Sequence, residues 1–207
     1  SYNQLQAILM TALSKKEMTH QRILQTAAKI IRRDGFDSLA VADVMKQAGL
    51  THGGFYAHFA NRDALLAEAL AYAGKESAEV LRQSLAQGIS EGIEPLTAFI
   101  ETYLSEQHLN NCTEGAGCPV AALGSDFFRL DATTKAVAGK LIEAYVEKVQ
   151  ELSSQALSRE SAFLLTSTLI GSLQLARGLK GTDQASFYLT ASREDLVRRY
   201  AESQQHQ

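Results

Sequence analysis

The chain has 207 residues, of which 45% are hydrophobic and 21% charged, with two cysteines, two prolines and no tryptophan. This length is enough for one medium hydrophobic core or two small ones. The chain contains no run of 18 apolar residues, so no membrane span is predicted. It also contains no basic segment followed by an apolar stretch and a small-residue cleavage site, so nothing suggests export. The few cysteines and the long periodic segments predict a reduced, cytoplasmic, all-α protein.

The charge is unevenly distributed along the chain. The net charge is −3, which by itself argues against binding to nucleic acid. Residues 1–65, however, carry eight Lys and Arg against five Asp and Glu, or +3, and the other 12 basic and 18 acidic residues give residues 66–207 a charge of −6. The basic excess therefore lies in the N-terminal third.

The first predicted helix follows an uncharged arm, residues 1–14, to which no function is assigned. Thr19 is a candidate N-cap, and Asp34-Gly35 is a candidate stop. Between them, apolar residues recur at helical spacing. They are Ile23, Leu24, Ala27, Ile30 and Ile31.

The stretch Val41–Arg62 predicts a helix, a tight turn and a second short helix. Val44 and Met45 lie on the apolar face of the first of these, and Gly49 can end it in a left-handed conformation. Thr51 is a candidate cap for the second helix, His52–His58. That helix would bury Phe55 and Phe59, four residues apart, and direct its polar and aromatic groups outward. A short helix with such an outer face suits docking into a DNA major groove.

Together with its flanks, this stretch closely resembles the N-terminal domain of the TetR/AcrR family of one-component bacterial transcription regulators. The resemblance is strong over roughly Thr19–Leu70 and weak beyond it. The matching residues are Ala48, Gly49, Leu50, Thr51, Gly53, Phe55, Tyr56, His58, Phe59, Asn61, Arg62, Ala64 and Leu65. The chain departs from the family at Ala40-Val41, where Ser or Thr is common, so one phosphate-contacting hydroxyl is expected to be absent.

The resemblance implies a role in DNA binding for seven residues. Arg62, Tyr56, His58 and Thr51 correspond to phosphate contacts, His52 to the variable base-reading position, and Gly53 and Gly54 to positions where the backbone approaches the groove. The alternative is that these are solvated surface groups and ring-packing residues.

The rest of the chain predicts further helices. Asn61 can cap a long connector helix to about Gln87, and Pro95 can open a helix to about His108, followed by a loop, Leu109–Cys118. Later helices are predicted at Pro119–Leu130, from Asp131 to Leu157, from Ser158 to Arg177, and from Thr182 to Ser203. The helix after Ser158 is apolar nearly all round and must be covered on more than one side.

These elements predict an N-terminal three-helix helix-turn-helix domain, residues 15–65, followed by a helical ligand-binding and dimerisation domain, residues 66–207. The last two helices are expected to pair with their copies in a homodimer through a four-helix interface. An effector pocket is predicted where aromatic residues surround the cysteine-containing segment; the alternative for each is ordinary core packing. The pocket set is Phe99, Tyr103, Gln107, Phe127, Phe128 and Tyr145.

Cys112 and Cys118 leave three interpretations open: inert thiols, half of a metal site, or a redox or electrophile sensor. Their spacing is poor for zinc, and only His108 is near as a third ligand. Cys118 precedes Pro119 at a predicted helix start, where the helix dipole would stabilise a thiolate. Some regulators of the resembled family sense electrophiles or oxidants through a cysteine in this region.

The sequence therefore predicts a regulator, most simply a ligand- or redox-responsive repressor that binds a pseudo-palindromic operator as a homodimer and is released by a small-molecule or electrophile signal. Neither a cofactor nor a metal is expected. Two alternatives remain, a helical adaptor that binds only protein and a Cys-dependent enzyme. No phosphate loop, nucleophile elbow, HExxH or CxxC supports the enzyme.

Overall fold

The computed structural model describes residues 14–154 and 156–201, and within them it contains helices and turns but no strand. Three 3₁₀ segments, Phe36–Ser38, His52–Ala57 and Gly124–Arg129, and a π-helical turn, Val197–Ala201, join the α-helices. The α-helices are α1 Lys15–Asp34, α2 Val41–Gln47, α3 Arg62–Ser90, α4 Pro95–Tyr103, α5 Glu106–Thr113, α6 Pro119–Leu123, α7 Ala132–Leu152, α8 Arg159–Gly178 and α9 Asp183–Leu196. The predicted all-α fold is confirmed.

Helix α1 begins earlier than predicted. The Ser14 hydroxyl accepts a hydrogen bond from the Glu17 amide at 3.2 Å, and the Glu17 carboxylate accepts one from the Ser14 amide at 2.6 Å. This reciprocal pair satisfies two backbone donors at the helix start. Thr19 lies inside the helix and donates to the Lys15 carbonyl, so its prediction as the N-cap is wrong. Ser14 apart, the arm predicted at residues 1–14 lies outside the described residues.

The predicted helix-turn-helix is present, with a tighter second helix than expected. Gly49 has a φ of +69°, and the Leu50 amide donates to the Met45 carbonyl at 2.9 Å to close the turn. The segment after the turn, His52–Ala57, is 3₁₀ rather than α-helical. Phe55 and Phe59 are buried, as predicted, and their rings are stacked with centroids 5.6 Å apart. We call His52–Ala57 the recognition segment.

Helix α3 is the connector predicted from the sequence. The Asn61 side chain accepts from the Ala64 amide at 2.8 Å, which confirms Asn61 as the cap. The helix continues through Gly88 to Ser90, 29 residues in all, or about 44 Å at 1.5 Å per residue. It ends before Gly92, whose φ is +88°.

The region after α3 differs most from the prediction. Ser105 accepts a hydrogen bond from the His108 amide at 3.1 Å and so starts a new helix, α5, where one continuous helix to His108 was expected. Cys112 consequently lies on α5. The predicted loop Leu109–Cys118 shrinks to residues 114–118, which we call the Cys118 loop.

The later caps were predicted correctly. Asp131 accepts from the amides of Thr133 and Thr134, and Ser158 accepts from the Ser161 amide. Helix α7 ends at Leu152 rather than Leu157. Helix α9 passes into the π-helical turn after Leu196, and the predicted end at Ser203 lies outside the described residues.

A buried arginine joins α1 to the rest of the molecule. Arg32 is 2% exposed, and its guanidinium forms an ion pair with Glu76 of α3. It also donates to the Gly117 carbonyl at 3.4 Å, and its own carbonyl accepts from Arg177 of α8 at 3.0 Å. The last turns of α1 are thus bonded to three later parts of the chain.

The Cys118 loop lies directly against α1 beside this arginine. Gly115 has a φ of +82°, and a Cβ atom at this position would approach the Lys29 carbonyl oxygen to 2.7 Å. Only a residue without a side chain fits there at ordinary contact distance. The loop and α1 therefore form a close backbone contact, which with the Arg32 bonds we call the α1 junction.

The junction predicts unequal costs for two arginine substitutions. Arg32→Met leaves Glu76 and the Gly117 carbonyl without their donor, and we expect a loss of about 2 kcal/mol in the free energy of unfolding. This is less than for a fully buried pair, because Glu76 keeps contact with solvent. Arg159→Met removes an exposed pair with Glu143 and should cost below about 1 kcal/mol. Urea unfolding of both variants measures the difference, and equal losses would contradict it.

Candidate functional site

The recognition segment presents most of its predicted contact residues to solvent. The Tyr56 side chain is 71% exposed although its neighbour Phe55 is buried. Thr51, His52 and Gly53 are exposed as well. The packing of Phe55 and Phe59 therefore fixes the segment by one face and leaves a phenol and an imidazole on the other.

Two predictions for the residues that flank this segment need correction. The Thr51 hydroxyl makes no capping bond; the Thr51 carbonyl accepts from the Gly54 amide instead, as a 3₁₀ turn requires. His58 was expected to point outward, but it is half-buried, 5.9 Å from the His20 ring between ring centroids. Its Nδ1 atom is buried without a hydrogen-bond partner among the described residues.

Arg62 is held by the protein itself. Its guanidinium donates to the Leu39 carbonyl at 2.8 Å and to the Phe36 carbonyl at 2.7 Å. These bonds tie the start of α3 to the segment that precedes α2. The Arg62 side chain is still 42% exposed. It therefore positions the helix-turn-helix, and its exposed part remains accessible to a phosphate.

The residues predicted to form one effector pocket are separated in the structure. Phe99 and Tyr145 line an apolar cavity of about 140 Å³ between α3, α4 and α7. Tyr103 lies behind them, its ring centroid 5.8 Å from that of Tyr145. The other eight lining residues are Gly74, Ala78, Leu81, Arg82, Leu85, Leu141, Ala144 and Lys148.

Three other members of the predicted pocket lie elsewhere. Phe127 is buried against Phe36 of the N-terminal domain, with ring centroids 6.2 Å apart. Phe128 is 68% exposed, beneath the Arg129 guanidinium. Gln107 is exposed and donates to the Asn111 side chain. The extra helix start at Ser105 turns Gln107 away, and neighbours in sequence therefore face different parts of the molecule.

The two cysteines are buried free thiols close to a histidine. The Nδ1 atom of His108 donates to the Tyr103 carbonyl at 2.7 Å, because that oxygen can only accept. Its Nε2 atom accepts from the Cys118 backbone amide at 3.2 Å. Both nitrogens are thereby committed to the backbone, and the ring is held neutral, as a structural link between α4 and the Cys118 loop.

The ionisation of this cluster follows from its burial. Burial raises the pKa of the Cys112 thiol to about 12, and the neighbouring Cys118 adds to the shift. Burial likewise raises the pKa of Tyr103 and of Tyr145 well above the ordinary range for phenols, and burial lowers the pKa of His108. These four side chains, Cys112, Tyr103, Tyr145 and His108, are therefore uncharged at neutral pH, and Cys112 has no thiolate with which to react.

The described residues contain no group of three His, Cys, Asp or Glu side chains arranged to hold a metal ion. In the same ranges, every helix lacks the length or the hydrophobicity that crossing a bilayer demands. The residues that sequence reasoning missed are Arg32, Gly115 and Gly117 of the α1 junction. Arg32-Arg33 at the end of α1 resembles an ordinary basic helix terminus, and no local signal distinguishes the buried member of the pair.

Comparison with known proteins agrees with this geometry. The family described as "Bacterial regulatory proteins, tetR family" matches residues 23–69. The HTH-type transcriptional regulator Rv0196 of Mycobacterium tuberculosis is 32% identical over 168 residues, which are 76% of this chain and 83% of that protein.

Solved structures share the fold. A TetR-family transcriptional regulator from Cytophaga hutchinsonii superimposes with a TM-score of 0.74 at 16% identity, over 92% of this chain and 99% of that one. The reduced form of NemR from E. coli gives 0.66 at 17% identity, over 85% and 95% of the two chains.

A helix-turn-helix at the N-terminus of an all-helical chain, with a long connector into a second helical region, defines a helix-turn-helix transcriptional regulator. The chain belongs to the TetR family of bacterial regulatory proteins. Its relatives are transcriptional regulators and not enzymes, so the alternative that the chain is a Cys-dependent enzyme is rejected.

The buried His108 predicts a loss of stability in acid. In the unfolded chain the His108 imidazole binds a proton near pH 6.5, and in the folded protein its pKa is lower. The contribution of His108 to the free energy of unfolding is therefore fully present above about pH 6.5. It is lost as the pH drops below that value, by up to about 1.4 kcal/mol per pH unit. His108→Gln should reduce the loss seen between pH 7.5 and 5.5 in urea unfolding. His58, whose pKa burial also lowers, accounts for a residual loss.

His52→Gln is the matched control for this substitution, because His52 is exposed on the recognition segment. This variant should keep the acid sensitivity of the parent protein. An unchanged acid sensitivity in His108→Gln would contradict the role of the buried imidazole.

The burial of both thiols predicts slow chemical modification. Brief exposure of the folded protein to a maleimide should leave the intact mass unchanged, and the denatured protein should gain two adducts. Buried thiols in apolar surroundings are inert because the thiolate is the reactive form. Rapid addition of a single adduct, mapped to Cys118, would contradict this expectation and restore the sensor hypothesis.

Proposed function

We propose that this TetR-family regulator is a ligand-responsive repressor that binds a pseudo-palindromic operator as a homodimer. Its DNA-binding domain is residues 15–65 and its ligand and dimerisation domain residues 66–207. The single observation that supports this best is the recognition segment, which exposes Tyr56 and His52 while Phe55 and the following Phe59 are buried. An exposed phenol on a short segment with buried anchors suits a phosphate contact, and an exposed imidazole suits base reading.

Exposed apolar groups on the last two helices support the dimer. Five large side chains of α8 and α9 are at least 44% exposed in the single chain. Exposed apolar side chains concentrated on two neighbouring helices are typical of interaction sites, and a second copy would cover them with the same surface through a two-fold interface. The five residues are Phe163, Leu164, Leu175, Phe187 and Tyr188.

The α1 junction supports a coupling between the two domains. Tyr145 lines the cavity and packs on Tyr103, whose carbonyl holds His108; His108 in turn holds the Cys118 amide. The Cys118 loop contacts α1 through Gly117 and Arg32. A ligand in the cavity that favours a different arrangement of these contacts would shift α1 and weaken DNA binding. By linkage, bound DNA would weaken the affinity for the ligand by the same factor.

The ligand-responsive form is favoured over the redox-responsive one, because both thiols are buried and Cys112 is strongly disfavoured as a thiolate. The adaptor hypothesis accounts for the exposed α8 and α9 faces, but it gives no reason for the display of Tyr56 and His52.

Selection of bound DNA from a random duplex pool tests the proposal. We expect two inverted half-sites whose centres lie about 10 base pairs apart, or a multiple of that, because the dimer presents two recognition segments. Tyr56→Phe keeps the buried contacts and should lower affinity roughly tenfold for all sequences, as loss of one phosphate bond predicts. His52→Ala should relax selectivity at one base position in each half-site.

Tyr72→Phe provides the control, since Tyr72 is a half-buried tyrosine of α3 outside the recognition segment. Tyr56 is a cleaner test than Arg62, whose replacement would also release the Leu39 and Phe36 carbonyls. Failure to enrich any duplex at low salt would reject the proposal, and enrichment of single half-sites would reject the dimer.

A further inference from the structure

The charged residues that line the apolar cavity are of one sign. Arg82 of α3 and Lys148 of α7 are its two charged lining residues, and both are cations. Each pairs with a carboxylate three residues away on its own helix, Glu79 and Glu151, and neither carboxylate lines the cavity. The cavity is therefore apolar inside and flanked by positive charge on two of its walls.

The size of the cavity limits what can enter it. About 140 Å³ is close to the volume of apolar protein cavities that hold one benzene ring. Leu81, Leu85, Phe99 and Leu141 supply aliphatic and aromatic walls. On the inner side, the phenol of Tyr145 adjoins an uncharged cluster, so a charged group could not be accommodated there without a large desolvation cost.

We propose that the effector of this regulator is a compact organic monocarboxylate, with an apolar body about the size of one ring in the cavity and its carboxylate between Arg82 and Lys148. This identification of the ligand class rests on the proposed function. The carboxylate stays at the wet rim, where two cations from different helices can reach it, and the apolar body replaces water against the cavity wall.

The close approach of α3 and α7 makes the cavity adjustable by mutation. A Cβ atom on Gly74 would lie 2.2 Å from the Leu141 Cδ2 atom. Because that atom is the end of a flexible side chain that lines the cavity, Gly74→Ala should push Leu141 into the cavity and reduce its volume. This variant changes the space available without changing the charge.

Three probes with the same ring and different charge test the proposal: benzoate, benzyl alcohol and benzylammonium. Calorimetry at pH 7.5 on the full chain, without DNA, should show benzoate binding roughly five- to tenfold more tightly than the alcohol, and the alcohol more tightly than the ammonium. Arg82→Met with Lys148→Met should bring the three affinities to within about twofold of each other. Gly74→Ala should weaken all three.

Arg159→Met is the matched control, since it removes an exposed, ion-paired cation of the same domain outside the cavity; it should keep the preference for benzoate. A preference for the alcohol or the ammonium, retention of the preference in Arg82→Met with Lys148→Met, or no benzoate binding at about 10 mM would overturn the proposal. Binding that Gly74→Ala leaves unchanged would overturn it also. Because no DNA is used, a failure here is distinct from a failure to select an operator.

Discussion

The arrangement of the two halves of this protein depends on one buried guanidinium. Arg32 belongs to the first helix of the helix-turn-helix domain, yet beyond a bond to the Ala28 carbonyl of its own helix it binds Glu76 on the connector and the Gly117 carbonyl in the Cys118 loop. A buried charge is tolerated only where its donors are satisfied. The position of α1 is therefore tied to the connector and to the Cys118 loop, and the helix-turn-helix is not an independent module on a flexible linker.

The recognition segment and Arg62 each combine contacts inside the protein with exposed polar groups. Phe55 and Phe59 fix the segment from inside, which allows Tyr56 to stand exposed without loss of core packing. Arg62 ties α3 to the carbonyls of Phe36 and Leu39. The long connector is consequently bonded at its first residue to the segment that precedes α2.

The cysteine-containing region serves packing more clearly than chemistry. His108 uses both ring nitrogens on backbone groups, and Gly117 leaves no room for a Cβ atom beside the Cys112 sulfur, which would be 2.2 Å away. A thiol is a small apolar side chain that fits such a space. The resemblance to regulators that sense electrophiles implies a reactive Cys118, whereas in the structure the Cys118 loop contacts His108 on one side and Arg32 of α1 on the other.

The sequence by itself determined the local features: the all-helical fold, the helix-turn-helix, the caps at Asn61, Asp131 and Ser158, and the outward position of Tyr56. Each depends on periodicity or on a hydrogen bond spanning a few residues, and such patterns are visible along the chain. Only the tertiary structure decided that Phe127 packs on the N-terminal domain, that Phe128 is exposed, that Arg62 binds carbonyls and that Arg32 rather than Arg33 is buried. Those outcomes depend on contacts between residues up to 145 positions apart, where the partner is set by how whole helices pack and not by any neighbouring residue.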